Sequence, residues 1–412
     1  MSCALSSRFE YIFVLFISLI EKAFGFLLLF ALARVLSQEE LGWFTAIRSI
    51  YSIFLPLTGL GLGFAYLYFS AKDIGSEQDN YKFIIYRGFW LSLVVAFLMV
   101  VVGGVVISSE VHSIVIMAVF SLQLVVMFHC EVMRSRDRIF QRNVRYALNG
   151  LLVAAIGLLS TVTGAFLFQL NGAVIFGSIG AVIALLVLWR IKKVEESSGS
   201  SSGLSRQMFW RYGLGVGFGS FMNQLLLGAD VVILGYLDVP LAQIAIYKVG
   251  TLIPMQLLIV PNSFFAWKFV SLVKVAGSKS GLYDSLVSYY KWAIPFSLIF
   301  VSVLGHYSES TLIILFGDNY GAAAAIQKVF LVSFFLGCLL RAPFGTLMNA
   351  MGHSHINAIL VYVMTPFCFI ANYWAIKSWG IIGAAYAMAG FFAFSGIASL
   401  ILFLKFSRAQ TG

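Results

Sequence analysis

Long apolar runs, broken by charged or turn-rich segments, recur along the whole chain and constrain it more than any other feature. A helix of about 20 mostly apolar residues crosses the hydrocarbon core of a bilayer. Twelve such runs are expected: 11–35, 41–69, 83–107, 111–133, 144–168 and 172–191, then 212–237, 241–268, 286–305, 322–347, 354–376 and 380–404. Several are longer than a bilayer needs, which implies tilt or extension into the headgroups. A membrane β-barrel would show segments of about ten residues in strict alternation, and no such pattern occurs here. Only 11% of the 412 residues are charged and 60% are apolar, against about 25% charged in a soluble domain. Too few polar side chains exist to cover a water-soluble globule. The abundance of Phe argues against disorder, and Gly follows no collagen period. Cys3, Cys130, Cys338 and Cys368 stand singly, without metal spacing or a disulfide framework. The first run continues past Glu21 and Lys22 to Leu36 with no clear small-residue cleavage site, so it reads as a span and not a removable signal.

Lys and Arg set the orientation. Arg8, Lys72, Lys82, Arg87, Arg134, Arg136, Arg138, Arg142 and Arg145 fall on one side of the spans. Arg190, Lys192, Lys193, Arg206, Arg211, Lys268, Lys274, Lys279, Lys291, Lys405 and Arg408 join them, while the other side has only Arg34 and Lys377. Both termini are therefore expected in the cytoplasm. The net charge of +10 reads as a topology signal, and no nucleic-acid partner is expected.

A Ser/Gly-rich stretch at 194–205 lies between the sixth and seventh runs, and its composition makes it a flexible linker. The expected organisation is an N-terminal lobe at 1–193, a linker at 194–210 and a C-terminal lobe at 211–412. Each lobe has six spans that begin and end inside, so the lobes would be parallel repeats. At an offset of 200, LGWFTAIR (41–48) lies against LAQIAIYK (241–248), with Arg48 and Lys248 at the same depth. The fold class expected is all-α and membrane-integral, with two six-helix lobes around a central cavity.

Ionisable groups inside spans are costly and mark an interior, a cavity or a pathway. Glu21, Lys22, Arg48, Asp230, Lys248 and Arg341 are so placed. Glu131 and Lys328 are nearer span ends, where snorkelling accounts for them. Arg48 and Lys248 lie seven residues into their spans, about 10 Å along the helix, where snorkelling also competes with a cavity role. Glu21 and Lys22 are about 100° apart on one helix and cannot both reach one interface; they line a cavity, in preference to a buried ion pair with another span. Asp230 needs a partner, which Lys22, Arg48 or Lys248 could supply, or else it is a protonatable group coupled to an ion gradient. Asn223 and Gln224 add polar groups at a depth similar to Glu21 and Lys22. Basic groups outnumber acids at membrane depth, which suits an anionic substrate, because phosphate gains charge-assisted hydrogen bonds from Arg and Lys.

Other signals are weaker. GLGVGFG (213–219) and GLGLG (59–63) suggest a nucleotide loop, but no strand–helix unit surrounds them, and close packing of small residues explains them better. His353 and His355 lack a third metal ligand. Ser37 and Glu40 form a capping box at a helix start, in preference to a catalytic acid on an outer loop. No cofactor is expected and no catalytic residue stands out.

Three stretches carry a family resemblance: GFLLLFALARVLSQEELGWF (25–44); DVVILG (230–235) with Tyr247 and Lys248; and FGDNY (316–320) with GIIGAAY (380–386). They resemble the polysaccharide biosynthesis branch of the multidrug/oligosaccharidyl-lipid/polysaccharide (MOP) exporter superfamily, which includes the O-antigen repeat-unit flippases. Ala242 departs from the pattern, where such sequences often have Gly. The resemblance implies a twelve-span flippase of a bacterial inner membrane that moves undecaprenyl-pyrophosphate-linked oligosaccharide outward. Membrane lipid, a polysaccharide polymerase and chain-length machinery are its implied partners. It also implies that Lys22, Arg48 and Lys248 meet the pyrophosphate and sugar. Two rivals remain: a cation-coupled drug exporter of the same fold, which would favour an acidic cavity, and a membrane glycosyltransferase or ligase, which would need a sizeable outer loop.

Overall fold

The computed structural model describes residues 2–107, 111–191, 206–275 and 279–409; among them the chain is helical almost throughout and no strand occurs. Residues 194–205 of the expected linker lie outside the described residues. By packing, the chain divides into two compact units, Met1–Gln224 and Leu225–Gly412.

The first unit is built from α1 (Ser2–Val35), α2 (Gln38–Phe54), α3 (Leu62–Lys72), α4 (Glu77–Val106), α5 (Val111–Ile139) and α6 (Asn143–Ile191). It also takes in the start of α7 (Arg206–Tyr236), whose last turns belong to the second unit. The second unit continues with α8 (Leu241–Leu257), α9 (Ile259–Val275), α10 (Lys279–His306), α11 (Ser308–Phe316) and α12 (Ala324–Leu336). It ends with α13 (Ala342–Ala350), α14 (Ser354–Trp379) and α15 (Ile381–Ala409).

Among the described residues, eleven helical stretches are long and apolar enough to cross a membrane, so this is a multi-pass membrane protein. Twelve spans were expected, and the difference lies in α6, which is 49 residues long. Phe168 and Gln169 leave helical geometry, and a Cβ on Gly164 would overlap the Gly172 carbonyl. Eight residues of straight helix would hold those groups about 12 Å apart. The chain therefore folds back at 168–169, and α6 supplies two antiparallel legs. The second unit repeats this hairpin 211 residues on. Gly380 (φ 62°, ψ −146°) matches Gln169 (φ 54°, ψ −136°), and Gly383 approaches the Ala375 carbonyl as Gly172 approaches Gly164.

The helices face outward with their apolar side, the inverse of a soluble helix. On α4, Val94, Phe97, Leu98, Val101 and Val105 are exposed, while Ser92, Ala96, Met99 and Gly103 are buried. Small and hydroxyl side chains inside allow close approach of helices, and lipid solvates the rest. The helices also outrun the apolar runs. For example, α4 begins at Glu77 and α5 ends at Ile139, because backbone hydrogen bonding continues into polar turns.

The second span of the first unit is broken at Leu55–Gly61, where Gly59, Leu60 and Gly61 take positive φ. A Cβ on Gly61 would overlap the Gly213 carbonyl, and Gly217 is packed against Gly61 as well. The glycine motifs at 59–63 and 213–219 are thus used for close backbone packing, as expected. Ser37 and Glu40 form the expected capping box. Glu40 Oε1 also accepts from the Leu170 amide at 3.2 Å, which satisfies a free donor where α6 turns.

Candidate functional site

In the first unit the charged residues converge on the C-terminal turns of α5. Arg134 Nη2 lies 3.2 Å from Glu21 Oε1 on α1, and its Nη1 lies 3.2 Å from Glu131 Oε2. The guanidinium also sits over the Tyr146 ring of α6 at 4.6 Å. A Cβ on Gly150 would overlap Arg134, so glycine there leaves room for the pair. Arg136 Nε lies 3.0 Å from Glu77 Oε1, and Tyr66 donates to the same carboxylate. Arg145 Nε lies 3.4 Å from Asp137 Oδ1, whose other oxygen accepts from Asn149 at 2.7 Å. Three helices, α1, α4 and α6, are therefore tied to α5 by ionic or charge-assisted bonds, which are about twice as strong as neutral ones, and α3 joins them through Glu77 of α4. Arg134 and Arg136 had been read as markers of membrane orientation alone. Placement of an acid three residues before Arg134 was the sequence signal for the pairing.

Glu21 takes the ion-pair alternative. Lys22, next to it, is exposed and has no hydrogen-bond or ion-pair partner among the described residues. Arg48 on α2 is half-buried and likewise has neither kind of partner among them. Tyr51 follows one turn later, with its ring edge against Phe120 at 5.4 Å.

In the second unit Asp230, near the end of α7, is buried and finds a phenol instead of a cation. Tyr247 donates to Oδ2 at 2.6 Å, and the Val231 amide donates to Oδ1 at 2.8 Å. Cys368 on α14 is buried. Asn372, one turn on, bonds back to the Cys368 carbonyl at 2.9 Å, and its buried Oδ1 has no partner among the described residues. Lys248 follows Tyr247 directly but is half-buried, with no side-chain partner among the described residues. Asn223 is exposed and Gln224 half-buried on α7.

Arg341 sits where the helix is underwound. Gly337–Arg341 forms a π-turn in which the Ala342 amide reaches back to the Gly337 carbonyl. That shift strips Cys338 of its normal donor, and Pro343 has no N–H to give. Two tyrosines of α10 compensate: Tyr289 donates to the Cys338 carbonyl at 2.6 Å and Tyr290 to the Leu339 carbonyl at 2.7 Å. Single π-turns inside α-helices commonly mark functional sites. The Arg341 Nη1 group donates to Ser399 Oγ on α15 at 3.1 Å, and Gly345 leaves space beside it. No carboxylate pairs with Arg341 among the described residues.

The four membrane-depth cations Lys22, Arg48, Lys248 and Arg341 are thus all without a carboxylate partner among the described residues, and both acids expected to offset them are engaged elsewhere. Nor do the described residues contain a group of three His, Cys, Asp or Glu able to hold a metal.

No family model matches the sequence, and no curated protein matches it either. Solved structures do match, over nearly the full length. The inward-facing conformation of a multidrug resistance MATE family transporter of the MOP superfamily aligns over 95% of both chains with a TM-score of 0.71 at 14% identity. The chain has the MOP transporter fold. The lipid II flippase MurJ, in an inward closed conformation, aligns with a TM-score of 0.71 and 14% identity, over 97% of this chain and 91% of its own. A MOP superfamily transporter from Pyrococcus furiosus, described as having a binding pocket of reverse polarity that suggests a different function, aligns with a TM-score of 0.63 and 14% identity. That alignment covers 98% of this chain and 96% of the other.

Proposed function

We propose that the protein is a flippase that carries polyprenyl-pyrophosphate-linked oligosaccharide repeat units from the cytoplasmic to the outer leaflet of a bacterial inner membrane, for surface polysaccharide such as O-antigen or capsule. The observation that carries this reading is the set of uncompensated cations. Among the described residues, Lys22, Arg48, Lys248 and Arg341 have no carboxylate to neutralise them, and an unpaired charge at membrane depth is costly. A pyrophosphate supplies the missing anion and accepts several charge-assisted hydrogen bonds at once. Asn223 and Gln224 add amide donors and acceptors suited to sugar hydroxyls.

Transport proceeds by alternating access between lobes 1–193 and 211–412, with both termini in the cytoplasm. The polyprenyl tail stays in lipid throughout. An inside-negative potential favours outward movement of the anion by roughly 2.3 kcal/mol per charge per 100 mV. Asp230 and Glu21 are the carboxylates placed to carry a coupling ion. The tight phenol bond on Asp230 and the Arg134 pair on Glu21 are what such an ion would have to loosen. A polysaccharide polymerase and chain-length machinery would take up the product.

Single replacement of Lys22, Arg48 and Lys248 by Ala is expected to abolish surface polysaccharide at normal protein levels. Unchanged polymer in all three variants would defeat the assignment. The fold shared with a multidrug transporter keeps one rival in view, cation-coupled drug export. That reading predicts raised drug susceptibility in a deletion strain with surface polysaccharide intact.

A further inference from the structure

We propose that Tyr289 and Tyr290 are positioning residues that hold the π-turn at Gly337–Arg341 and so aim Arg341 at the anionic group of the substrate. The inference rests on the flippase reading above and adds to it the device that sets one of its cations.

A π-turn inserts an extra residue into the helix, so residues beyond it are rotated about 100° relative to an unbroken α-helix. Whether the turn is present therefore decides which way Arg341 points. Its cost is the Cys338 carbonyl, from which the Ala342 amide is diverted, and Pro343 in any case offers no amide to the Leu339 carbonyl. In a protein interior an unmet carbonyl is costly, and without outside donors the segment would favour regular α-helix or fray.

Tyr289 and Tyr290 are adjacent on α10, and their hydroxyls reach those two carbonyls at 2.6 and 2.7 Å. Tyr289 is fully buried and Tyr290 half-buried. Pro343 prevents the helix from supplying its own donor at that position, so the tyrosines have no internal competitor. On the far side Ser399, itself buried, takes Arg341 Nη1 at 3.1 Å. One donor of the guanidinium is thereby fixed and the others stay free. Neither tyrosine is read as touching substrate; both act through the backbone that carries Arg341.

The purified full-length protein in detergent, with farnesyl pyrophosphate as probe, tests this. The Tyr289→Phe/Tyr290→Phe variant keeps both rings and loses both donors. It is expected to bind the probe about tenfold more weakly, as is Arg341→Ala, the loss of one hydrogen bond to a charged group. The triple variant should bind no more weakly than the weaker of these two, and the rate of phenylglyoxal modification of Arg341 should change in the tyrosine variant. Unchanged binding in the tyrosine variant, or losses that add up in the triple variant, would overturn the proposal. Should Arg341→Ala itself leave binding unchanged, the substrate reading fails at Arg341. Phenylglyoxal labelling then judges the tyrosines alone, an altered rate supporting them and an unaltered rate refuting them. If the double variant does not fold, Tyr290→Phe alone is read by the same two measurements.

Discussion

Glu21 on the first helix and Arg134 on the fifth, 113 residues apart in sequence, meet at 3.2 Å. Their pairing engages the first span's acid, and its neighbour Lys22 has no ion-pair partner among the described residues. The pairing also anchors α1 to the hub on α5, where Arg136 and Asp137 engage further helices.

Breaking this pair is expected to cost stability. Gly150→Ala pushes a methyl into Arg134 and should destabilise the protein by about 1–3 kcal/mol. Glu21→Ala leaves one side of Arg134 unmet and should cost a similar amount. Thermal unfolding in detergent reads both changes, and combining them should cost less than their sum, since they act on one interaction.

Gln169 occupies a backbone conformation that its counterpart in the second unit, Gly380, meets without strain. A residue with a Cβ held there costs about 1–3 kcal/mol. Gln169→Gly is therefore expected to raise the unfolding temperature, with a gain of about 1 kcal/mol, while Gly380→Gln should lower it.

Tyr247→Phe removes the donor to Asp230 and leaves a buried carboxylate short of a partner. It should destabilise the protein by about 1–3 kcal/mol. Asp230→Asn should cost less, because the amide oxygen still accepts from Tyr247. If Asp230 carries a coupling ion, Asp230→Asn should abolish the dependence of transport on the ion gradient in vesicles even where the protein remains folded.

Most of the architecture was legible because lipid imposes it. Any span needs about 20 apolar residues, so the runs were visible, and the capping box at Ser37 and Glu40 is a local pattern that sequence spacing reveals. The fold-back at Gln169 was visible as a break between two runs, although the helix continues on either side almost without interruption. What sequence could not show was pairing at a distance. Arg134 and Arg136 looked like orientation markers because Lys and Arg near a span end are cheap in either role. The partner of Asp230 was sought among cations, whereas a buried carboxylate is satisfied equally well by a phenol and a backbone amide. The π-turn before Arg341 left only indirect traces, Pro343 two residues later and a Tyr pair on another helix.

The central claim is that unpaired cations at membrane depth select a pyrophosphate headgroup. The most direct measurement compares equilibrium binding of undecaprenyl pyrophosphate and uncharged undecaprenol to the purified protein and to a variant with Lys22, Arg48, Lys248 and Arg341 all changed to Ala. A hydrogen bond to a charged group contributes about 1.5–3 kcal/mol, so two or more should favour the pyrophosphate by at least about 100-fold in the native protein, and the variant should lose that preference. Equal affinity of the native protein for the two lipids, or a variant that still discriminates between them, would contradict it.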